Sequence, residues 1–279
     1  MIIFKRPGDL AGWLKKETGS GKSIGFVPTL GALHAGHISL ITISKKETDI
    51  TVCSIFINPT QFNDPKDFQK YPVTLEKDLT LLEAAGTDIL FLPGVPEVYP
   101  AGTTNLEHYD LGRLATLLEG KYRPGHFQGV CQVMYRLLTI VHPDHLFMGQ
   151  KDYQQCMVIQ RLLELTRLPA RLHRCPIIRE PDGLAMSSRN LRLDPAQRAN
   201  ATAIYHALLL LGQQFRAAPA SALSHAEALL KQADFQIDYI SVADGDTLEP
   251  VTDAATAQSI VALIAAFQGE IRLIDNMIL

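Results

Sequence analysis

Two imidazoles three positions apart, in His34-Ala35-Gly36-His37, are the side chains of this chain best suited to proton and charge chemistry near neutral pH. Just upstream, Leu30-Gly31-Ala32-Leu33 supplies a glycine turn whose backbone could approach a ligand closely. Two further stretches collect donors. Gly149-Gln150-Lys151-Asp152 sets a cation and a carboxylate behind a short apolar run. They could pair with each other at the surface, or Lys151 could reach a phosphate while Asp152 accepts from a sugar hydroxyl. Met186-Ser187-Ser188-Arg189 places two hydroxyls beside a guanidinium, which suits phosphoryl oxygens or, more plainly, a capped polar loop. Gln61 and Gln155 offer amides that both donate and accept. The glutamines suit a substrate contact; the common chemistry of the other groups is stabilisation of charge on phosphate.

Elements that would position them follow from the apolar pattern. The run 24–27 reads as a strand that breaks at Pro28, passes the Gly31 turn, and gives way to a helix opening at His37 with Ile38, Leu40, Ile41 and Ile43 on its inner side. A strand, a glycine turn and a helix start in that order aim backbone N–H groups and the helix dipole at one spot. In that setting the tetrad resembles the motif of the HIGH-motif nucleotidyl transferases. A second buried strand, 50–57, ends in 58–63, which carries Gln61 at the carboxyl edge where open α/β sheets bind ligands. A helix over 74–85 with Leu75, Leu79 and Leu82 on one face, a strand over 88–93, and a loop over 94–104 come next. The basic, glycine-bearing loop 121–129 precedes a helix over 130–141 and could grip an anion or simply solvate itself. A strand over 145–148 leads through Gly149 into a helix over 153–165, with Gln155 in its first turn, and a strand over 171–178 follows. Beyond Pro195 the character changes to a long helix through about 215, a second helix over 222–233, and strands over 236–242, 259–267 and 271–278. The pattern predicts an α/β protein with a Rossmann-like parallel-sheet domain over 1–178 and a smaller C-terminal α+β domain over 179–279.

Composition narrows the classes. Of 279 residues, 47% are hydrophobic and 20% charged, with a formal net charge of −3, which gives no basic field for nucleic acid. No uncharged run reaches membrane-spanning length and the start lacks the order of a signal peptide, so a cytoplasmic protein with no membrane partner is expected. Cys53, Cys131, Cys156 and Cys175 are widely spaced within apolar segments and read as reduced, buried thiols. Gly19-Ser20-Gly21-Lys22-Ser23 is not a P-loop, because it precedes its strand and has Lys16 where the pattern requires glycine. His142-Pro143-Asp144-His145 reads as a helix-to-strand turn rather than a metal pair.

These motifs in this order resemble the pantoate–β-alanine ligase (pantothenate synthetase) family. The likeness runs from the tetrad through Asn58-Pro59-Thr60-Gln61-Phe62, Tyr122-Arg123-Pro124-Gly125-His126-Phe127, Gly149 to Gln155 and Met186 to Asn190. It implies a two-domain, dimeric enzyme that uses ATP and magnesium to join (R)-pantoate to β-alanine, through an adenylate, releasing AMP and pyrophosphate. By the same resemblance Leu30, Gly31, Ala32, Leu33, His34, Ala35, Gly36 and His37 form the first ATP segment, with His37 as proton donor and His34 and Lys151 beside it in catalysis. Gly149, Gln150, Lys151, Asp152, Ile178, Met186, Ser187, Ser188 and Arg189 supply further ATP contacts. Gln61 and Gln155 bind pantoate, and Gln61 also falls in the β-alanine site. The chain departs from the family in Leu30 for methionine, Val73 for arginine and Lys77 for an acidic residue. No protein ligand for magnesium is therefore expected, the metal being held mainly by ATP. The alternative reading is a nucleotidylyltransferase of the same superfamily acting on a phosphorylated acceptor; a non-catalytic nucleotide sensor is a third.

Overall fold

The computed structural model describes residues 1–62, 68–251 and 259–279; Asn63, the end of the loop expected over 58–63, lies outside them. The chain divides into two compact units, one formed by Met1–Gln150 and Gln154–Pro176, the other by Lys151–Tyr153 and Ile177–Leu279.

In the first unit, six parallel strands lie in the order β1-β4-β3-β2-β5-β6: β1 Ile2–Phe4, β2 Ile24–Thr29, β3 Ile50–Ile55, β4 Ile89–Phe91, β5 His145–Gly149 and β6 Arg171–Cys175. The central strands are apolar on both faces because helices cover both. Phe26, Val52, Ile89 and Leu146 pack with helices Pro7–Gly19, His126–Val141 and Tyr153–Thr166. Their neighbours Val27, Cys53, Leu90 and Phe147 turn the other way, toward Leu40 and Ile41 of Ala35–Glu47 and Leu82 of Leu75–Ala84. The order reverses between β2 and β5, and in such sheets the carboxyl ends flanking the reversal form the ligand crevice.

In the second unit three antiparallel strands, β7 Phe235–Asp244, β8 Ile260–Gln268 and β9 Ile271–Ile278, pack on helices Ala203–Gln214 and Pro219–Gln232. Ile260, Ala262, Ile264 and Ala266 alternate along β8 into that core.

Several boundaries differ from those the sequence predicts. Pro28 lies inside β2, paired with Ser54 of β3; pairing with β5 stops at Phe26, so that flank of the strand is open where the proline lacks its N–H. The strand expected over 171–178 ends at Cys175, because Pro176 cannot continue the ladder. The helix expected from Val130 begins at His126, after Gly125 at φ 82°, since His126, Phe127 and Gly129 are already buried in the first turn. Within the expected loop 94–104, Val95–Val98 forms a helical turn. The long helix from Pro195 is two, Pro195–Asn200 and Ala203–Gln214; between them Ile204 N–H bonds Ala201 O, a tightened i to i+3 turn.

All four cysteines are free and buried. Burial pushes the Cys53 and Cys131 thiols up to about 12 and Cys175 to about 11, so they stay protonated. No helix among the described residues is long and apolar enough to cross a membrane.

Candidate active site

The tetrad closes on itself. The helix opens at Ala35 rather than at His37, with His34 as its N-cap and His37 one turn in. His34 Nδ1 accepts the Gly36 N–H at 3.1 Å, and His37 Nδ1 accepts the His34 N–H at 3.3 Å, a reciprocal capping box built from two imidazoles. The rings lie 4.0 Å apart between centroids. An Nδ1 that accepts leaves the proton of a neutral ring on Nε2, so both histidines are assigned as Nε2–H donors. The sequence predicts free helix-terminal N–H groups here. Instead the donors of the turn are largely occupied, by Asp78, by the two imidazoles and by the His34 carbonyl.

Upstream, a carboxylate holds the turn. Asp78, only 1% exposed, accepts Ala32 N–H at 2.9 Å and Leu33 N–H at 2.8 Å, and also the Thr74 hydroxyl at 3.0 Å. Gly31 has φ 84°, and a Cβ on it would stand 3.2 Å from Asp78 Oδ2 and 3.1 Å from Ile55, so glycine is required. Asp78 lies on the Leu75–Leu79–Leu82 face of its helix. An acidic residue on an apolar helical stripe is the sequence signal that could have revealed it as a buried anchor.

Gln61 is positioned by a second buried polar residue. It lies in the short 3-10 turn Pro59–Gln61 after β3, and its Oε1 accepts from Asn58 Nδ2 at 3.2 Å. Asn58 is fully buried: its Nδ2 also donates to Gly129 O at 3.1 Å and its Oδ1 accepts the Tyr99 hydroxyl at 2.9 Å. His126 Nδ1 bonds the Gln61 carbonyl at 2.8 Å. Gly129 permits this approach, for a Cβ there would stand 2.6 Å from the Thr60 carbonyl carbon and 2.8 Å from Gln61 Cα. The basic segment around Tyr122–Phe127 thus supplies, through His126, a brace for Gln61, a role the sequence did not disclose.

Gly149 ends β5 and begins, with Gln150–Asp152, the turn into Tyr153–Thr166; Gln155 is half-buried in that helix's first turn. In the second unit, Met186 N–H bonds Ile178 O at 3.0 Å, joining two of the predicted nucleotide-contact residues. Ser187 caps the turn Ser188–Arg192 by accepting Arg189 N–H at 3.2 Å. Lys151, Asp152, Ile178 and Met186–Arg189 belong to this unit; His34, His37, Gln61 and Gln155 belong to the first.

Of the other sequence-level motifs, Asp144 in the 142–145 turn accepts Ile24 N–H at 2.7 Å, an anchor for the start of β2. Among the described residues no group of three or more His, Cys, Asp or Glu side chains is arranged to hold a metal ion.

A doubly flanked parallel sheet with a histidine pair at the helix start beside its order reversal is the arrangement expected of the HIGH-motif class of α/β proteins. Over residues 2–278 the chain matches the pantoate–β-alanine ligase family, and it belongs to that family. It is 43% identical to the pantothenate synthetase of Porphyromonas gingivalis, over 99% of each chain, and 40% identical to that of Aquifex aeolicus, over 99% of this chain and 98% of the other. The crystal structure of pantothenate synthetase from Thermus thermophilus superposes with a TM-score of 0.92 at 38% identity, covering 99% of both chains. Pantoate–β-alanine ligase from Francisella tularensis, solved with β-γ ATP and β-alanine, superposes with a TM-score of 0.83 at 35% identity, covering 99% of this chain and 97% of the other.

Proposed function

We propose that this enzyme joins (R)-pantoate to β-alanine in two steps through a pantoyl adenylate, releasing pyrophosphate and then AMP. The observation that carries the reading is the imidazole pair at the helix start beside the sheet's order reversal, with both Nδ1 atoms accepting backbone N–H groups, which leaves the ring proton of each on Nε2.

A carboxylate is inert to amines because oxide does not leave. A pantoate oxygen therefore attacks the α-phosphorus of ATP, the bond to the bridging oxygen breaks, and pyrophosphate departs with that electron pair. Negative charge builds on the bridging and pyrophosphate oxygens, where His37, His34 and Lys151 donate; donors preorganised for such charge do more than any that must be recruited from water. Around them Leu30, Gly31, Ala32, Leu33, Ala35, Gly36, Gly149, Gln150, Asp152, Ile178, Met186, Ser187, Ser188 and Arg189 bind the nucleotide. Gln61 and Gln155 hold pantoate, with Gln61 also serving β-alanine. The β-alanine amine then attacks the acyl carbonyl, its N–C bond forms, AMP leaves with the carbonyl-to-oxygen pair, and the ammonium proton passes to solvent or a nearby base. The adenylate is labile to water, so residues 179–279 serve as the lid over residues 1–178, the nucleotide- and pantoate-binding domain.

Magnesium, the usual companion of ATP, is supported here only as a passenger on the nucleotide. Asp78, the carboxylate at the tetrad turn, already accepts two backbone N–H groups and a hydroxyl, so it does not fit the role of ligand; carried by the nucleotide, the metal would neutralise phosphate charge. The four free, buried thiols suit the cytoplasm, where we place the enzyme as a homodimer.

Pantoate labelled with oxygen-18 in its carboxylate tests the route. One labelled oxygen should appear in the phosphate of AMP after turnover, read by mass spectrometry. Label found only in pantothenate and water would exclude the adenylate.

A further inference from the structure

Lys151 lies in the short turn between β5 and the helix Tyr153–Thr166, yet its backbone is tied to the last strand of the chain. Asn276 Nδ2 donates to the Lys151 carbonyl at 2.9 Å, across 125 positions of sequence. Two residues on, Tyr153 Oη donates to Gly245 O at 2.8 Å, so the segment is fastened at both ends to one unit. Asn276 is itself buried and braced. Its N–H donates to Asp275 Oδ1 at 2.7 Å, and Arg179 holds Asp275 through both guanidinium nitrogens, at 2.6 and 3.1 Å, while also donating to Asn276 O at 3.3 Å. The Arg179 guanidinium lies 4.4 Å over the Tyr205 ring, which limits its freedom further. Burial raises the Asp275 carboxyl above its ordinary range, and Arg179 beside it works in the opposite direction.

We infer that Asn276 is a positioning residue for Lys151: its amide fixes the lysine's peptide so that the ammonium reaches the phosphate from a set origin. The inference rests on the role proposed above for Lys151. A lysine side chain has four flexible bonds, so the reach and aim of its ammonium are only as well defined as the backbone that carries it. Removing the Asn276 amide frees the Lys151 carbonyl and widens the volume its ammonium samples; fewer of those positions meet the developing charge. Tyr153 Oη supplies the same service at the other end of the segment, through its bond to Gly245 O, and Tyr153→Phe deletes that bond while keeping the ring.

The test is a double-mutant cycle on the full-length enzyme, reading single-turnover formation of pyrophosphate from ATP and pantoate over hours so that slow variants register. Asn276→Ala should slow this step about tenfold, and Tyr153→Phe by a smaller factor in the same direction, as expected for coupled neighbours. In a Lys151→Ala background each should change the residual rate less than about twofold, because the group being positioned is gone. Asn276→Leu fills the vacated space and should reproduce Asn276→Ala, and Tyr153→Phe removes a single oxygen, so the cycle survives if one variant folds poorly. Equal fractional losses with and without Lys151 would show a purely structural role and overturn the inference. A Lys151→Ala enzyme as fast as the unaltered one would instead overturn the assignment of the lysine, and the positioning with it.

Discussion

The His37 ring caps its own helix, and in the proposed mechanism it also donates to substrate; the two uses belong to different atoms. Nδ1 accepts the His34 amide while Nε2 carries the proton. Replacing His37 with Ala removes both. The lost donor should lower kcat on the order of a hundredfold, about 3 kcal/mol of transition-state stabilisation, with a much smaller change in the KM for ATP. The lost cap should lower stability by about 1 kcal/mol, visible as a small fall in Tm. Steady-state kinetics beside a melting curve separate the two, and a folded variant with near-normal kcat would remove His37 from the mechanism. The two histidines were legible in the sequence because residue type and spacing carried them. Their reciprocal capping was not, since it rests on ring nitrogens meeting backbone groups, and a capping box is ordinarily recognised by Ser, Thr or Asp followed by Glu or Gln.

The loops at the sheet edge are shaped by buried polar residues lying on other elements. Asp78 fixes the Gly31–Leu33 turn from 45 and 46 positions away, and Asn58 with His126 fixes Gln61 against the helix His126–Val141. Gly129 is the narrowest point of that second contact. Gly129→Ala should push the Pro59–Gln61 turn off the helix, destabilise the fold on the order of 2 kcal/mol as overpacking does, and raise the KM for pantoate more than that for ATP. Chemical denaturation and substrate titrations read both effects; a variant with unchanged stability and pantoate KM would mean that the turn does not depend on this close approach. At this scale the sequence revealed strands and helices through apolar spacing, and missed what depends on a partner. Pro28 was read as a strand breaker because its neighbours in space were unknown; β2 keeps it where pairing with β5 has ended. Likewise Pro195–Asn200 and Ala203–Gln214 share one compositional run, and nothing in residue type marks the tightened turn between them.

For the molecule as a whole, the alternation of apolar runs and helices over the first two-thirds was enough to indicate a parallel sheet, and the change beyond Pro195 to indicate a second unit. The strand order, with its reversal between β2 and β5, was not readable, because pairing is a property of distant segments. Nor was the attachment of Lys151 to β9, which joins the middle of the chain to its last strand. Candidate residues therefore lie in both units, and the claim on which the whole account depends is the proposed formation of a pantoyl adenylate before the amine attacks. That claim is tested most directly by exchange of labelled pyrophosphate into ATP with pantoate and magnesium present and β-alanine absent. An adenylate that forms reversibly before the amine attacks predicts exchange under these conditions, none when pantoate is omitted, and diversion to pantothenate and AMP when β-alanine is added. Exchange that proceeds equally well without pantoate, or that strictly requires β-alanine, would contradict it.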